Sequence, residues 1–234
     1  DIVFGDWSSD VCSSDLKNEF VNNSRYGLYM YGSGAFTLDR FYASNNSWNG
    51  IFLDNHPAAG TPGITISNGI SEDNSMSGIV AESKGNLTAT NISANRNDYG
   101  LLVGMNYGRV GNVTIKNTSG QTNSFEDNNS YGIYVMANGS VYTKGIRSVD
   151  NDNGNMLIYN NGIASSAGVT VLDSVLSESD SGSGLEVVSK GKVSLQNLDG
   201  LNNHMNGAII YNYDGVGTVE DRKSTRLNSS HRIR

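Results

Sequence analysis

The residues whose types and spacing suit chemistry gather around one stretch, "IFLDNHPAAG" (Ile51–Gly60). Asp54 stands four residues after Gly50, and Glu82 stands four residues after Gly78. If those glycines mark equivalent points of a repeat, the two carboxylates face outward a few ångströms apart. Adjacent carboxylates can bind Ca²⁺ or share a proton, one of them with a raised pKa. His56 follows in the same loop and Lys84 is near in sequence to Glu82; Arg109 is the other basic residue that this edge could supply. Two acids fall short of the roughly six to eight oxygens that calcium prefers, unless loop carbonyls and water complete the shell. A solvated rim of charges is the plainer expectation for these residues.

The second set is aromatic. Tyr29, Tyr31, Phe52, Tyr134, Tyr159 and Tyr211 fall at alternate positions after recurring glycines, in line with Val80, Leu102, Met136, Leu157 and Ile209. Rings held on a flat sheet present an apolar face on which sugar rings can stack, so these six are the candidate glycan-binding residues. Alternatively, the long loops or another part of a longer protein cover the stripe, because an apolar face of that length is costly to leave bare.

Both sets depend on a repeat. Gly27, Gly50, Gly78, Gly100, Gly132, Gly154, Gly184 and Gly207 are 22 to 32 residues apart. Self-similarity at such a period signals a solenoid. After each glycine comes a period-2 alternation, "GLYM", "GIFL", "GIVA", "GLLV", "GIYV" and "GLEV", which reads as a strand. After Gly154 comes Asn155, so that strand should slip one place, to Met156 and Ile158. A second strand sets a hydroxyl residue between apolar ones, as in Phe36-Thr37-Leu38, Ile64-Thr65-Ile66 and Val113-Thr114-Ile115. A third, weaker strand follows (Phe41–Ala43, Ile92–Ala94, Ile146–Val149, Val175–Ser177), then an Asn/Asp corner such as "DNNS" (Asp127–Ser130). Asn and Asp accept the left-handed backbone of tight corners more readily than most residues.

Three short strands per turn of about 22 residues describe a parallel β-helix, in which stacking buries what no single coil can. The expectation is an all-β chain of about eight coils. Leu28, Ile51, Ile79, Leu101, Ile133 and Leu185 should form one inward column. Alternate coils carry a longer corner, "DNHPAAGTPG" (Asp54–Gly63), "GMNYGRVGN" (Gly104–Asn112) and "YNNGIASSAG" (Tyr159–Gly168), so His56, Tyr107 and Ile163 should lie along one edge. Coil four also has extra residues after its second strand, within "TSGQTNSFEDNNS" (Thr118–Ser130).

On these residues the chain resembles the right-handed parallel β-helix repeat proteins, the broad group with the pectate-lyase architecture, over Lys17–Glu220. The resemblance implies the hand and a rigid stack with loops along its edges. It does not imply one activity, because this fold carries many unrelated sites. In the lyase members, calcium-binding acids and a proton-abstracting base share a sheet, and "DNHP" (Asp54–Pro57) is distantly similar to Asp/His motifs of alginate epimerases. The clustered Asp with Gly-His-Gly of polygalacturonases is absent.

Asp1–Leu16 and Asp221–Arg234 share neither the spacing nor the composition of the rest. "GDWSSDVCSSDL" and "RKSTRLNSSH" resemble translated sequencing-adapter read-through at the ends of proteins predicted from metagenomic assemblies. On that reading the repeat occupies Lys17–Glu220, neither end extends it, and the natural protein continues past both. Cys12, the one cysteine, then falls outside the repeat. The net charge of −7 is unchanged by removing the ends, since five acidic and five basic residues lie in them. That acidity argues against nucleic acid, and no apolar run approaches the roughly 20 residues of a membrane helix.

The leading expectation is a non-enzymatic segment of a secreted or surface-anchored bacterial protein, a stiff stalk or adhesin-like surface that contacts polysaccharide or cell-surface glycan. The alternative is a fragment of a polysaccharide lyase or uronan epimerase with Asp54, His56 and Glu82 at its site. No cofactor is expected, with Ca²⁺ at Asp54 and Glu82 as the weak candidate.

Overall fold

A short run of alternating apolar residues forms a strand but cannot bury its own face, so each coil is completed by the next. The computed structural model describes residues 18–105, 110–162, 167–212, 217–222, 226–227 and 232–233. Among them there is no helix, and the strands form two parallel sheets. The first sheet stacks the post-glycine strands in strict chain order. These are Leu28–Tyr31, Ile51–Asp54, Ile79–Glu82, Leu101–Val103, Tyr131–Met136, Gly154–Asn160, Leu185–Ser189 and Ala208–Asn212. Its inward column pairs Leu28, Ile51, Ile79, Leu101, Ile133, Met156, Leu185 and Ala208 in successive coils. The one-place slip after Gly154 is therefore present.

The fold is an all-β parallel solenoid of about seven turns, slightly fewer than the eight coils the glycines suggest, and its second and third strands share one sheet. In Phe36–Ser44, Ile64–Glu72, Leu87–Asn95, Val169–Ser177 and Val193–Gly200 the two halves join through a single left-handed residue. These residues are Arg40 (φ 52°), Asn68 (52°), Asn91 (55°), Asp173 (49°) and Asn197 (52°). The ladder skips each kink: Asp39 pairs with Ser67 and Phe41 with Gly69, leaving Arg40 and Asn68 out. One left-handed residue turns the chain without a loop, so no gap in the apolar pattern announces a separate strand. At the equivalent point of coil five, Gly145 (φ 64°) separates Val141–Lys144 from Ile146–Val149, and a Cβ there would lie 2.1 Å from Asn117 Oδ1. In coil four the extra residues lie between Val113–Lys116 and Asn123–Glu126, where the sequence places them.

The three long corners all leave a strand of the first sheet and enter one of the second, so they share an edge. Asn55 closes the base of the first, its amide donating to the carbonyls of Pro62 (2.9 Å) and Gly63 (3.3 Å). Asn160 does the same for the third, with Ala167 (2.9 Å) and Gly168 (3.4 Å). Tyr107 and Ile163, which would mark the tips of two of these loops, lie outside the described residues.

The opposite corner holds a column of polar residues. Its first residue is left-handed: Asn22, Asn45, Asp73, Arg96, Asp127, Asp150, Glu178 and Asn202 have φ of 55–60°. The next residue turns inward. Side-chain amides run as a ladder through Asn23, Asn46, Asn74, Asn97, Asn128 and Asn151 at 2.8–3.5 Å per step. Coil seven has Ser179 there, and Asn155 spans the gap, accepting from Asn151 at 2.7 Å and donating to Asn203 at 2.9 Å. The slip after Gly154 (φ 152°) is what brings Asn155 inward.

Short stretches past Glu220 also pair with the stack. Arg226–Leu227 pairs with Asp199–Gly200 and Arg232–Ile233 with Ile209–Ile210. The open end of a β stack offers unpaired N–H and C=O groups to any extended backbone, whatever its side chains. Residues 1–17, which include Cys12, lie outside the described residues.

Candidate functional site

The acid cluster is assembled, but not at the surface. Asp54 and Glu82 are register partners on adjacent strands, as their spacing from glycine predicts. Both are buried, at 1% and 0% exposed, which corrects the expectation of solvated carboxylates. The reason lies in the loop that follows Asp54. Asp54 Oδ1 accepts the backbone N–H of His56 at 2.8 Å, with His56 Nδ1 at 3.8 Å from the same oxygen. Ala58 is buried behind this turn, and its N–H donates to the Asn55 carbonyl. Asp54 thus anchors the loop, much as a capping carboxylate does at a turn. Lys84 joins through its ammonium, which donates to the His56 carbonyl at 3.4 Å. The structure therefore brings together Asp54, His56, Glu82 and Lys84; Arg109 lies outside the described residues. Among the described residues no third His, Cys, Asp or Glu joins the two acids in a group that could hold a metal ion.

The aromatic stripe is broken into two patches. In the first, Tyr29 and Tyr31 are exposed, at 48% and 57%. Their rings are nearly parallel (13°, centroids 6.5 Å apart), and Tyr29 continues onto Phe52 (16°, 5.3 Å). Phe52 itself is only 8% exposed, so it supports the platform and offers a ligand little surface. Tyr26 packs against Tyr29, Phe52 and Trp48 at 5.0–5.5 Å, and the Arg25 guanidinium sits 4.3 Å over the Trp48 ring.

In the second patch Tyr134 meets Tyr99, Tyr131 and Tyr159 at 5.8–6.3 Å. Between the patches Val80 and Leu102 are buried in a small outer cluster with Phe52, against which Tyr26, Tyr99 and Tyr134 pack. The stripe is therefore covered along its middle by tyrosines from its own corners. Tyr211 stands apart near the far end, partly buried, as the register partner of Val188.

Tyr26, Trp48, Tyr99, Tyr131 and Arg25 were not among the residues that sequence spacing picks out. The signal exists: an aromatic residue directly precedes the repeat glycine at Tyr26, Tyr99 and Tyr131, and Trp48 stands two before Gly50. Glu186 is the other residue missed, the one acid in the column that also holds Tyr134, Leu157 and Ile209. Burial pushes its carboxyl above the usual range. The Tyr131 phenol is raised as well, first by burial and then by the charge of Glu186.

A family model described as right handed beta helix region matches residues 16–197, well over half of the chain. No curated protein and no solved structure matches it. The stacked glycine-led strands, the amide ladder of the corners and this match agree: the chain belongs to the right-handed β-helix family.

Proposed function

We propose that this chain is a non-catalytic segment of a secreted or surface-anchored bacterial protein, a stiff stalk whose first-sheet face binds glycan through its aromatic patch. The observation that supports this reading is the platform of Tyr29 and Tyr31, two exposed rings 13° from parallel on a rigid sheet. Exposed, pre-positioned aromatic rings lose little conformational entropy when a sugar stacks on them. Phe52 beneath Tyr29, and Tyr26 with the Arg25–Trp48 pair beside it, hold the platform before any ligand arrives.

The test is glycan binding by affinity electrophoresis in a panel of soluble polysaccharides. Retardation by at least one glycan is expected, and it should be lost in the Tyr29→Ala/Tyr31→Ala double variant. A wild-type chain that no glycan retards, or a double variant as retarded as wild type, overturns the reading.

A lyase or epimerase fragment is the second reading, and the convergence of Asp54, His56, Glu82 and Lys84 at one edge favours it. Uronan chemistry of this type needs a carboxylate neutralised, a proton abstracted and a leaving group assisted, so several charged groups must converge. Burial of both acids tells against it, because a substrate would first have to displace the loop that begins at Asn55. Absorbance from unsaturated product on pectate or alginate, with and without added Ca²⁺, decides between the two readings. Turnover that disappears in Asp54→Ala or Glu82→Ala would establish the second.

A further inference from the structure

On the outer face of the first sheet, around coils five to seven, lies a cavity of about 250 Å³ lined by Tyr131, Asn153, Ser181, Gly182, Glu186 and Met205 among others. It falls just below the usual range of ligand pockets, roughly 300 to 1,000 Å³, so it suits a single small ring and not an oligomer. Glycines let its walls pack closely. A Cβ on Gly154 would approach the Tyr131 ring to 2.9 Å, and one on Gly182 would fall 1.7 Å from the Asn153 carbonyl. The Tyr131 ring thus lies against bare backbone.

The polar wall is fixed as well. The Ser181 hydroxyl donates to the Asp152 carbonyl at 2.7 Å, and the Asn153 amide donates to Ser130 Oγ at 3.1 Å. Met205, 61% exposed, sets a soft apolar edge on the cavity.

Glu186 is the only charged side chain in the lining. It is half-buried, and among the described residues no hydrogen-bond donor or cation pairs with it. On the neighbouring strands its register partners are Leu157 and Ile209, which cannot neutralise it. An acid so placed, in one cavity with a tyrosine ring, attracts a compact cation twice over. The carboxylate supplies the counter-charge, and the ring quadrupole attracts a cation within about 6 Å of its centroid. Hydroxyl and amide groups along the wall add partners for hydroxyls on the same ligand.

We propose that this cavity binds an amino sugar, with Glu186 as counter-ion to its ammonium group and Tyr131 stacking on its ring. The site is separate from the Tyr29–Tyr31 platform and shares no residue with it, so each can fail alone.

The test titrates the whole chain, carrying ¹³C-methyl methionine, with glucosamine, N-acetylglucosamine, glucose and ethylamine at pH 7, reading the Met205 methyl resonance. Glucosamine should saturate with a Kd on the order of 1 mM, as expected for so small a ligand. Glucose and N-acetylglucosamine, which lack the cation, and ethylamine, which lacks the ring, should each bind about tenfold more weakly or worse. Glu186→Gln, which keeps the shape, should abolish the preference for glucosamine, while Tyr29→Ala/Tyr31→Ala should leave it intact.

An unchanged thermal midpoint and Met205 spectrum of the free Glu186→Gln variant would show that its cavity survives. Tyr131→Leu gives an independent check through loss of the stacking face. Equal binding of N-acetylglucosamine and glucosamine, or of ethylamine and glucosamine, overturns the assignment. So does an unaltered preference in both Glu186→Gln and Tyr131→Leu, or the absence of any saturable glucosamine shift.

Discussion

The asparagine corner and the aromatic face lie on either side of the same glycines, and their polarity is inverted. At the corner, amides from Asn46 to Asn151 are buried, each donating to the next. On the face, Tyr29 and Tyr31 expose apolar rings to water. Burial in a solenoid therefore follows partner supply more than polarity. A repeat delivers the same amide to the same place in every coil, so a polar column can satisfy itself along the axis. On the face the rings pack against one another instead, and at the Tyr29–Tyr31 end they stay exposed.

The strongest way to break this contrast is to remove one rung. Asn128 accepts the backbone N–H of Asn97 at 3.0 Å and donates to Asn151 Oδ1 and the Ala94 carbonyl at 2.8 and 3.2 Å. Asn128→Ala leaves buried partners unsatisfied at roughly 1–3 kcal/mol each, so a loss of about 3 kcal/mol is expected. The denaturant midpoint measures it, and a loss below about 1 kcal/mol would mean that water replaces the rung at little cost.

The corner also shows how far the sequence can be read. The recurrent pair of amides in "NNS" or "DNNS" and the period-2 runs after glycine are enough for the architecture, the inward column, the long corners and the slip at Gly154. The pair is not two copies of one role, however. The first residue supplies positive φ and the second a buried rung, and composition does not distinguish them. The kink at Arg40 was likewise hidden, because arginine is no ordinary marker of left-handed backbone.

At the candidate acids, side-chain alternation gives direction but not cover. Asp54 points away from the core and is still buried, because the path of Asn55–Gly63 is set by its anchor to Asp54 and by the Asn55 amide. The tyrosines before the glycines were legible as a pattern. Their fold-back over Val80 and Leu102 depends on side-chain packing across coils, which spacing within one coil does not show.

Changes on the aromatic face should be milder for stability. Tyr29→Ala with Tyr31→Ala removes two exposed rings whose contacts beyond area burial are worth roughly 0.5–1.5 kcal/mol per pair. A combined cost of about 1 kcal/mol is expected, because Phe52 and Tyr26 remain packed below. If the pair cost as much as Asn128→Ala, the rings would be structural and the contrast would collapse.

The solvent side of the corner offers a finer comparison. Arg96 bridges Asp73 (2.8 and 2.9 Å) and Glu72 (2.8 Å). The hydrogen bonds from Arg96 hold the Asp73 carboxyl below its ordinary value, with burial opposing and the Arg96 charge adding. The stabilisation from a lowered carboxylate pKa is present above the unfolded value and is lost as pH falls through the folded one. Arg96→Asn keeps a residue that tolerates positive φ and should cost about 0.5–1 kcal/mol at neutral pH, as partly exposed ion pairs do. The difference from wild type should shrink below pH ~4 and in 1 M salt.

Three coils along the same column the sign reverses. Asp150 stands between Asp127 and Glu178 in the left-handed column, with Asp180 close by, and among the described residues no arginine bridges them. Its carboxyl is raised, by burial first and then by the charges of Glu178, Asp127 and Asp180. A carboxyl whose folded pKa is raised gives up its proton less readily in the native state than in the unfolded chain. The penalty is absent below the unfolded value near pH 4, grows as pH rises through the folded pKa, and is complete above it. Asp150→Asn removes that penalty and keeps a side chain suited to a φ of 55°. Because the group is exposed and screened, the gain should be small, about 0.3 kcal/mol at pH 7. Added salt should reduce the gain, since it already screens the repulsion in wild type. The measurement is the denaturant midpoint of both chains at pH 3.0 and 7.0, at low salt. A variant that is stabilised at pH 7.0 and equal to wild type at pH 3.0 locates the strain in like charge. A variant destabilised at both would assign Asp150 a structural hydrogen bond and return this end of the column to the behaviour of the buried rungs.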